Sequence, residues 1–488
     1  MAGGREEQQL VVIGAGPAGY PAAFHAADLG LAVTLIDPEA APGGVCLYRG
    51  CIPSKALLHV AALLNETREA SVMGVSFQAP AVDRAKLKAW KDAVVSRLTG
   101  GLKGLCGQRN VTLLRGRAAF TDAHTIRVEA ADGSARDLAF EHAIVATGSR
   151  PASIPAAPDS PRVIDSTGAL ALEDIPDRLL VVGGGYIGLE LGQVYAALGA
   201  KVSVVEMLPG LLPGADRDLA GLLAKRVKKQ FERVRLNTRV TAMRETDDGI
   251  VVNSEAEDGT PAEETYDRVL VAVGRRPNTE HIGLDCAGVR VGADGFVEVD
   301  EQRRTSSPRI FAAGDVAGQP MLAHKATAEA KAAVEAVLGR KTVFDPAAIP
   351  AVVFTDPELA WCGLTEEEAD RQGREVEVAS FPWAASGRAM TLGRHDGLTK
   401  IVAEPGARRV LGVGIAGPGA GELIAEGVLA VEMGAVVEDL ALTIHPHPTL
   451  SETLMEAAEA FAGQSTHFVK RGGRANPPRQ DKQEEAQE

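Results

Sequence analysis

Two cysteines five positions apart, Cys46 and Cys51 in GGVCLYRGCIPSKALLH, are the residues best suited to do chemistry. On a continuous helix that spacing turns about 140° and rises ~7.5 Å, the wrong geometry for a disulfide. The pair is therefore expected where a helix begins or is distorted. Gly50 and Pro53 supply the reason, since proline is tolerated only in a first helical turn. A thiol at a helix N-terminus ionises readily, because its thiolate faces the positive end of the dipole. Lys55 lies one turn beyond Cys51 on the same face and adds a cation. This predicts a reactive dithiol. A structural zinc site would need two more ligands at close spacing; none stand here, so no metal is expected. A second candidate is TIHPHPTLSE, where prolines on both sides restrict His447 and Glu452 follows as a carboxylate able to orient its ring.

The elements that must carry these residues show an internal echo. QLVVIGAGPAGYPAAFHAADLGLAVTLID near the start and RLLVVGGGYIGLELGQVYAALGAKVSVVE further on both read as strand, glycine turn, amphipathic helix and strand. Each helix is expected to end near a glycine, Gly30 and Gly199. Gly14, Gly16 and Gly19 have the GxGxxG spacing, and Gly183, Gly185 and Gly188 repeat it. The first glycine permits the tight turn, the second lets a pyrophosphate approach the backbone, and the third lets helix and strand pack. An acid ends each second strand, Asp37 and Glu206, where a carboxylate can hold ribose hydroxyls. Glu206 repels a 2′-phosphate and has no arginine just after it, which favours NAD over NADP. Two dinucleotide sites in one chain follow. Further buried strands are expected in EHAIVATGSRP, in YDRVLVAVGRRPN and at Arg309–Ala313, the last leading to Gly314 and Asp315. From Ile349 the pattern changes to alternating strands and an Ala-rich helix, GELIAEGVLAVEMGA.

Composition agrees with a large globular chain. There are 488 residues, 45% hydrophobic and 24% charged, which suggests about three domains at roughly 150 residues each. The formal charge of −14 argues against phosphate-backbone binding. No apolar run reaches the ~18 residues of a membrane span. Five cysteines are too few and odd in number for a disulfide scaffold, so a reducing cytoplasm is expected. The first residues lack a signal-peptide pattern. The end, KRGGRANPPRQDKQEEAQE, reads as a disordered tail.

In their order, GAGPAG, GGVCxxxGCIPSKALL, ATGSRP, GGGYIGLELG, VAVGRRPN, GDVAGQPMLAHKA and HPHPTLSE resemble the flavin-dependent pyridine nucleotide–disulfide oxidoreductases over roughly residues 8–470. CIPSKALL, MLAHKA and HPTLSE are similar to the lipoamide branch of that family. The resemblance implies an α/β fold: two Rossmann-like dinucleotide-binding domains plus a C-terminal α+β dimerisation domain. The boundaries are 1–151 and 277–348 for an FAD-binding and central domain, 152–276 for an NAD-binding domain, 349–470 for the interface, and 471–488 for the tail. It implies an FAD site built from the first glycine turn with Pro17, Asp37, Gly43 and Gly44, and from Thr147, Gly148 and Ser149. Asp315, after Gly314, would meet the ribityl chain. Met321, Leu322, Ala323 and His324 are implied as further cofactor-binding positions, and Ala326 would lie where backbone N–H groups meet the isoalloxazine ring. NAD would take the second glycine turn with Tyr186, Ile187, Glu206 and Gly274.

By the same resemblance Cys51 lies against the flavin, Cys46 exchanges with substrate, and the two form a redox disulfide. His447 is the base, Glu452 orients it, and Lys55 and Glu190 pair beside the flavin. The implied activity is reoxidation of dihydrolipoamide with NAD, as a homodimer. The implied partner is a lipoyl-bearing acyltransferase subunit of a 2-oxo-acid dehydrogenase complex or the glycine cleavage lipoyl protein. Sibling reductases using NADPH stand as an alternative, against which Glu206 argues. The chain departs from the family pattern at Tyr48 and Arg49, in LYRGC for the more usual LNVGC, at Pro446 between the histidines, and at Asp37, where glutamate is commoner.

Overall fold

The computed structural model describes residues 7–469; the expected tail 471–488 and the first residues lie outside that range. Both echoes fold as βαβ units. In the first, β1 (Glu7–Ile13) and β2 (Val33–Asp37) pair in parallel with Val12 opposite Leu35, and α1 (Gly19–Asp28) joins them. Leu10, Val12 and Leu35 are fully buried on one side with Ala22, Ala23 and Ala26 of α1, so apolar strand faces and small helix residues make one core. The helix stops at Asp28, and Gly30 follows with φ +92°. The second unit runs Arg178–Val182, Tyr186–Leu198 and Lys201–Val205, and Gly199 caps its helix in the left-handed region at φ +113°.

Strand order places both glycine turns at the same topological position. The first sheet has seven strands in the order Thr112–Arg115, β2, β1, Ala135–Val145, Thr125–Glu129 and Arg117–Asp122, with Ile310–Ala312 also pairing to Ala135–Val145. The second has five parallel strands, with Arg178–Val182 between Lys201–Val205 and Arg268–Val271. In both, the glycine turn leaves the carboxyl end of a central strand, the usual ligand crevice of an open parallel sheet. A short ribbon, Ser149–Pro151 with Arg275–Pro277, carries residues of ATGSRP and VAVGRRPN.

The C-terminal part forms a five-stranded antiparallel sheet, Ala351–Val353, Leu359–Gly363, Val410–Ala416, Leu398–Ala403 and Glu377–Pro382 in spatial order. The helices Ala420–Met433 and Glu452–Glu459 contribute Ile424, Ala430, Leu454, Ala457 and Ala458 to the same core as Trp383 and Ile401. The chain divides into two compact units. One holds the residues up to Pro213 with Lys225–Pro346; the other holds Gly214–Ala224 with the residues from Ala347 on. Among the described residues no helix is long and apolar enough to cross a membrane.

Inside the second unit, Lys400 is 1% exposed. Its Nζ lies 2.7 Å from Asp216 Oδ2 and 2.9 Å from Asp218 Oδ1, and it also pairs with Glu366. Burial works against the ammonium charge, but the three carboxylates outweigh it and hold the Lys400 pKa above its ordinary value. These carboxylates are close enough together to hold a cation, and the ammonium is that cation. Lys400→Met should therefore leave like charges facing one another. The expected cost is on the order of 3 kcal/mol in denaturant unfolding. A loss below about 0.5 kcal/mol, the level of an ordinary surface change, would show that the cluster does not hold Gly214–Ala224 in place.

Candidate active site

The first glycine turn is shaped by backbone contacts that exclude side chains. Gly14 has φ +97°, and a Cβ there would sit 2.3 Å from Ala146 O; a Cβ on Gly19 would sit 1.7 Å from Gly14 O. At Gly16 a Cβ would meet only Gly44 Cα, at 3.8 Å, so that position faces open space. The second unit repeats the arrangement. Gly183 has φ +110° and lies against Ala272 O, Gly188 lies against Gly183 O, and nothing stands within 4 Å of a Cβ on Gly185. Two tight glycines flank one open one in each turn, the shape that lets a pyrophosphate reach backbone N–H groups at a helix start.

The acids after each second strand hold these turns. Asp37 Oδ2 accepts from Ala15 N (2.6 Å) and its Oδ1 from Glu39 N (2.9 Å). Glu206 Oε2 accepts from Gly184 N (2.6 Å) and its Oε1 from Leu208 N (2.7 Å). Burial pushes the Asp37 carboxyl up, opposed by the Ala15 hydrogen bond and by Arg49. Each acid thus fixes its own loop, a role that spacing alone does not suggest.

A cavity of about 650 Å³ runs from this turn along the dithiol. Its wall includes Gly14, Gly16, Pro17, Asp37, Gly44, Cys46, Cys51, Lys55, Thr147, Gly148, Ser149, Tyr186, Ile187, Glu190, Gly314, Asp315, Met321, Ala323 and Ala326. The helix carrying the cysteines breaks between them: α2 (Gly44–Arg49) ends at Gly50, and α3 (Cys51–Glu69) begins at once. Gly50 allows the break, because a Cβ there would stand 2.8 Å from Val45 O and 3.1 Å from Cys46 Cα. Pro53 falls in the first turn of α3, where its missing N–H costs nothing. Both cysteines are thiols in this structure.

The Cys46 thiol hydrogen-bonds to the Cys51 sulfur. That bond pulls the Cys51 thiol down to about 7; burial opposes the drop and Lys55 assists it. The same bond, with burial, holds Cys46 well above the usual thiol range. Lys55 Nζ lies 2.8 Å from Glu190 Oε2, and Ser54 Oγ donates to the same oxygen at 3.1 Å. Glu190 is 2% exposed and sits on the helix of the second glycine turn, so one ion pair ties α3 to that helix.

The far wall is held by contacts that no motif announces. Ser149 Oγ donates to Asp315 Oδ2, while Arg275 Nε donates to Ser149 Oγ (2.7 Å) and Arg275 Nη2 to Ser149 O (2.8 Å). Behind Asp315, fully buried Glu329 accepts from Gly314 N (2.7 Å) and pairs with Arg303 (2.9 Å) and Lys325 (3.1 Å). Lys325 also donates to Gly318 O (2.8 Å). A carboxylate buried with two cations and a backbone N–H fixes the Gly314–Asp315 turn. Ala326 N donates to Leu322 O (3.0 Å), so the helix-start donors without an intrahelical acceptor lie before Ala326 rather than at it.

In the C-terminal unit, His447 Nδ1 lies 2.8 Å from Glu452 Oε1, and Glu452 Oε2 accepts from Thr449 N (2.8 Å). A carboxylate partner puts the ring proton on Nδ1 and leaves the Nε2 lone pair able to take a proton. The ring is 72% exposed, so Nε2 is accessible to a thiol.

Of the residues expected from sequence, Gly19, Gly43, Gly183, Gly185, Gly188, Glu206, Gly274, Leu322 and His324 are not on the cavity wall, nor are His447 and Glu452, which belong to the other unit. Gly43 is a packing position: its N donates to Ala15 O (2.8 Å), and a Cβ would press on Leu47 and Thr99. Sequence reasoning missed Ser54, Arg275, Arg303 and Glu329. Arg275 stands in VAVGRRPN, where two adjacent arginines after a strand were the available signal. With Cys51 lowered to about 7, alkylation of the fully reduced protein by iodoacetamide should rise between about pH 6 and 8 and then flatten. A midpoint near the ordinary thiol value of 9.0 would show that the Cys46 hydrogen bond does not act on Cys51.

The chain is similar to known proteins in sequence and in fold. The family described as pyridine nucleotide-disulphide oxidoreductase matches residues 8–330, and its dimerisation domain matches residues 349–458. The chain is 49% identical to a dihydrolipoyl dehydrogenase of Haemophilus influenzae, covering 94% of this chain and 96% of that one. It is also 49% identical to one of Thermus scotoductus, covering 95% and 99%. Among solved structures, LpdA from Mycobacterium tuberculosis superposes with a TM-score of 0.86 at 29% identity over 93% of this chain and 99% of that one. The HOCl-induced flavoprotein disulfide reductase RclA from Escherichia coli, in its Cu(II) complex, superposes with a TM-score of 0.84 at 29% identity over 93% and 99%. With paired glycine turns, a thiol pair between them and matches over nearly its whole length, the chain belongs to the pyridine nucleotide-disulphide oxidoreductase family.

Proposed function

We propose that this chain reoxidises dihydrolipoyl groups and passes the electrons to NAD. The observation that carries the reading is the thiol pair on the cavity wall, Cys46 and Cys51 on either side of the helix break at Gly50, with the Lys55–Glu190 ion pair beside them. The name shared by the curated relatives, dihydrolipoyl dehydrogenase, supports the substrate. The open glycine at Gly16, with Asp315 and the dithiol along one cavity, fits FAD. The turn through Gly14 and Gly16 would hold its pyrophosphate, with Gly19 packing the helix behind it, and Asp315, braced by Ser149, would hold its ribityl hydroxyls. When bound, FAD supplies the two-electron relay between the thiol pair and NAD. Gly185 and the turn held by Glu206 would receive NAD, and Glu206 disfavours a 2′-phosphate there.

The chain's own groups then divide the work. In the oxidised pair, His447 Nε2 takes a proton from one substrate thiol while Glu452 stabilises the imidazolium. The substrate thiolate attacks Cys46 Sγ, the Cys46–Cys51 bond breaks, and Cys51 leaves as thiolate. A low pKa makes Cys51 the better leaving group. The second substrate thiol then attacks the substrate sulfur of the mixed disulfide. Cys46 departs and takes that thiol's proton, in keeping with its raised pKa. Lys55, held by Glu190, keeps a positive charge beside the Cys51 thiolate. The match of residues 349–458 to a dimerisation domain supports a homodimer. We assign each His447–Glu452 dyad to the other chain's dithiol. A lipoyl-bearing acyltransferase subunit or the glycine cleavage lipoyl protein is the partner, and the cytoplasm the compartment, in keeping with the sparse cysteines.

Two measurements test this. Cys46→Ser should abolish turnover of dihydrolipoamide with NAD while keeping FAD bound; retained turnover would remove Cys46 from the mechanism. His447→Gln should lose about 10²–10⁴ in rate, the usual weight of a general base. Mixing these two inactive variants under subunit exchange should restore activity, because each mixed dimer holds one undamaged site. No recovery, with exchange shown to occur, would place both residues in one chain's site.

A further inference from the structure

Cys46 rides on a helix too short to place itself. The helix α2 has six residues, where isolated helices below ~12–15 residues are marginal even with good helix formers. A glycine borders it at each end, and only Leu47 is buried. Two side chains tie it down. Tyr48 Oη donates to Ala41 O (3.0 Å), and Arg49 pairs with the Glu39 carboxylate. Arg49 also stands 5.9 Å from the Tyr48 ring centroid. Both anchors reach the same short loop, which leaves β2 just after Asp37.

We infer that Tyr48 and Arg49 are positioning residues that hold α2 to the loop after β2 and thereby set Cys46 against Cys51. The inference rests on the dithiol reading above. If α2 loosens, the Cys46 thiol donates less well to Cys51, and the Cys51 thiolate loses its largest support. The loop also carries the end of the Asp37 strand, so one contact set joins the glycine-turn end of the cavity to the thiol pair.

The test uses the reduced holoenzyme and follows Cys51 alkylation against pH by mass spectrometry of its peptide. Arg49→Leu, Glu39→Gln and Tyr48→Phe should each raise the midpoint by about half to one pH unit, roughly two- to fivefold less thiolate at pH 7. Arg49→Leu and Glu39→Gln should together shift it no further than either alone, because both remove one contact. Arg49→Lys, which keeps the charge pair, should recover most of the wild-type midpoint. A through-space charge effect has a different signature: Arg49→Leu would raise the midpoint and Glu39→Gln would lower it. That result, or no shift in any variant, overturns the inference. Cys46→Ser separates the two failures. If it is inactive and moves the midpoint while the anchor variants do not, only the anchoring fails. If it retains turnover and the wild-type midpoint, the dithiol reading fails and takes the anchoring with it.

Discussion

The closeness of the Cys46 and Cys51 thiols across the break at Gly50 makes two chemically identical side chains into unequal partners, Cys51 pulled down and Cys46 pushed up. Several features around the thiol pair serve that inequality. The break at Gly50 brings the sulfurs together across two helices instead of separating them along one. Lys55 adds a positive charge beside the pair, and Glu190, almost fully buried, fixes where that charge sits. The dithiol therefore has a direction, one sulfur suited to exchange with substrate and the other to departure.

The same economy appears in the two glycine turns. Each uses a close carbonyl to forbid side chains at two positions and leaves the middle position open. Each is then locked by an acid from the neighbouring strand that accepts two backbone N–H bonds. A carboxylate holding a loop is rigid in a way that water is not, and a rigid loop loses little freedom when a phosphate arrives.

Much of this was legible in sequence because the signals are local. GxGxxG needs its glycines for steric reasons that act within a few residues, so both βαβ units could be read directly. The helix break could be read from Gly50 and Pro53 for the same reason. What escaped lies in pairs far apart in the chain. Arg303 and Glu329 meet over an intervening strand and turn, Arg275 reaches back to Ser149, and Lys400 meets Asp216 across more than a third of the sequence. A buried ion pair has no periodicity and no spacing rule, so neither member advertises the other. The direction of Asp37 and Glu206 was hidden too, since spacing places a carboxylate but not its rotamer.

Lys400 has a consequence for how the chain is made. Its partners Asp216 and Asp218 leave the ribosome long before it does, and they group with a unit that is otherwise still unsynthesised. At synthesis rates of about 5–20 residues per second, the chain from Asp216 to Lys400 takes roughly ten to forty seconds to appear, and the two aspartates wait that long for their cation. The C-terminal unit therefore cannot be excised as a simple carboxyl-terminal fragment: a truncated gene starting near residue 347 would encode Lys400 and Glu366 without Asp216 and Asp218.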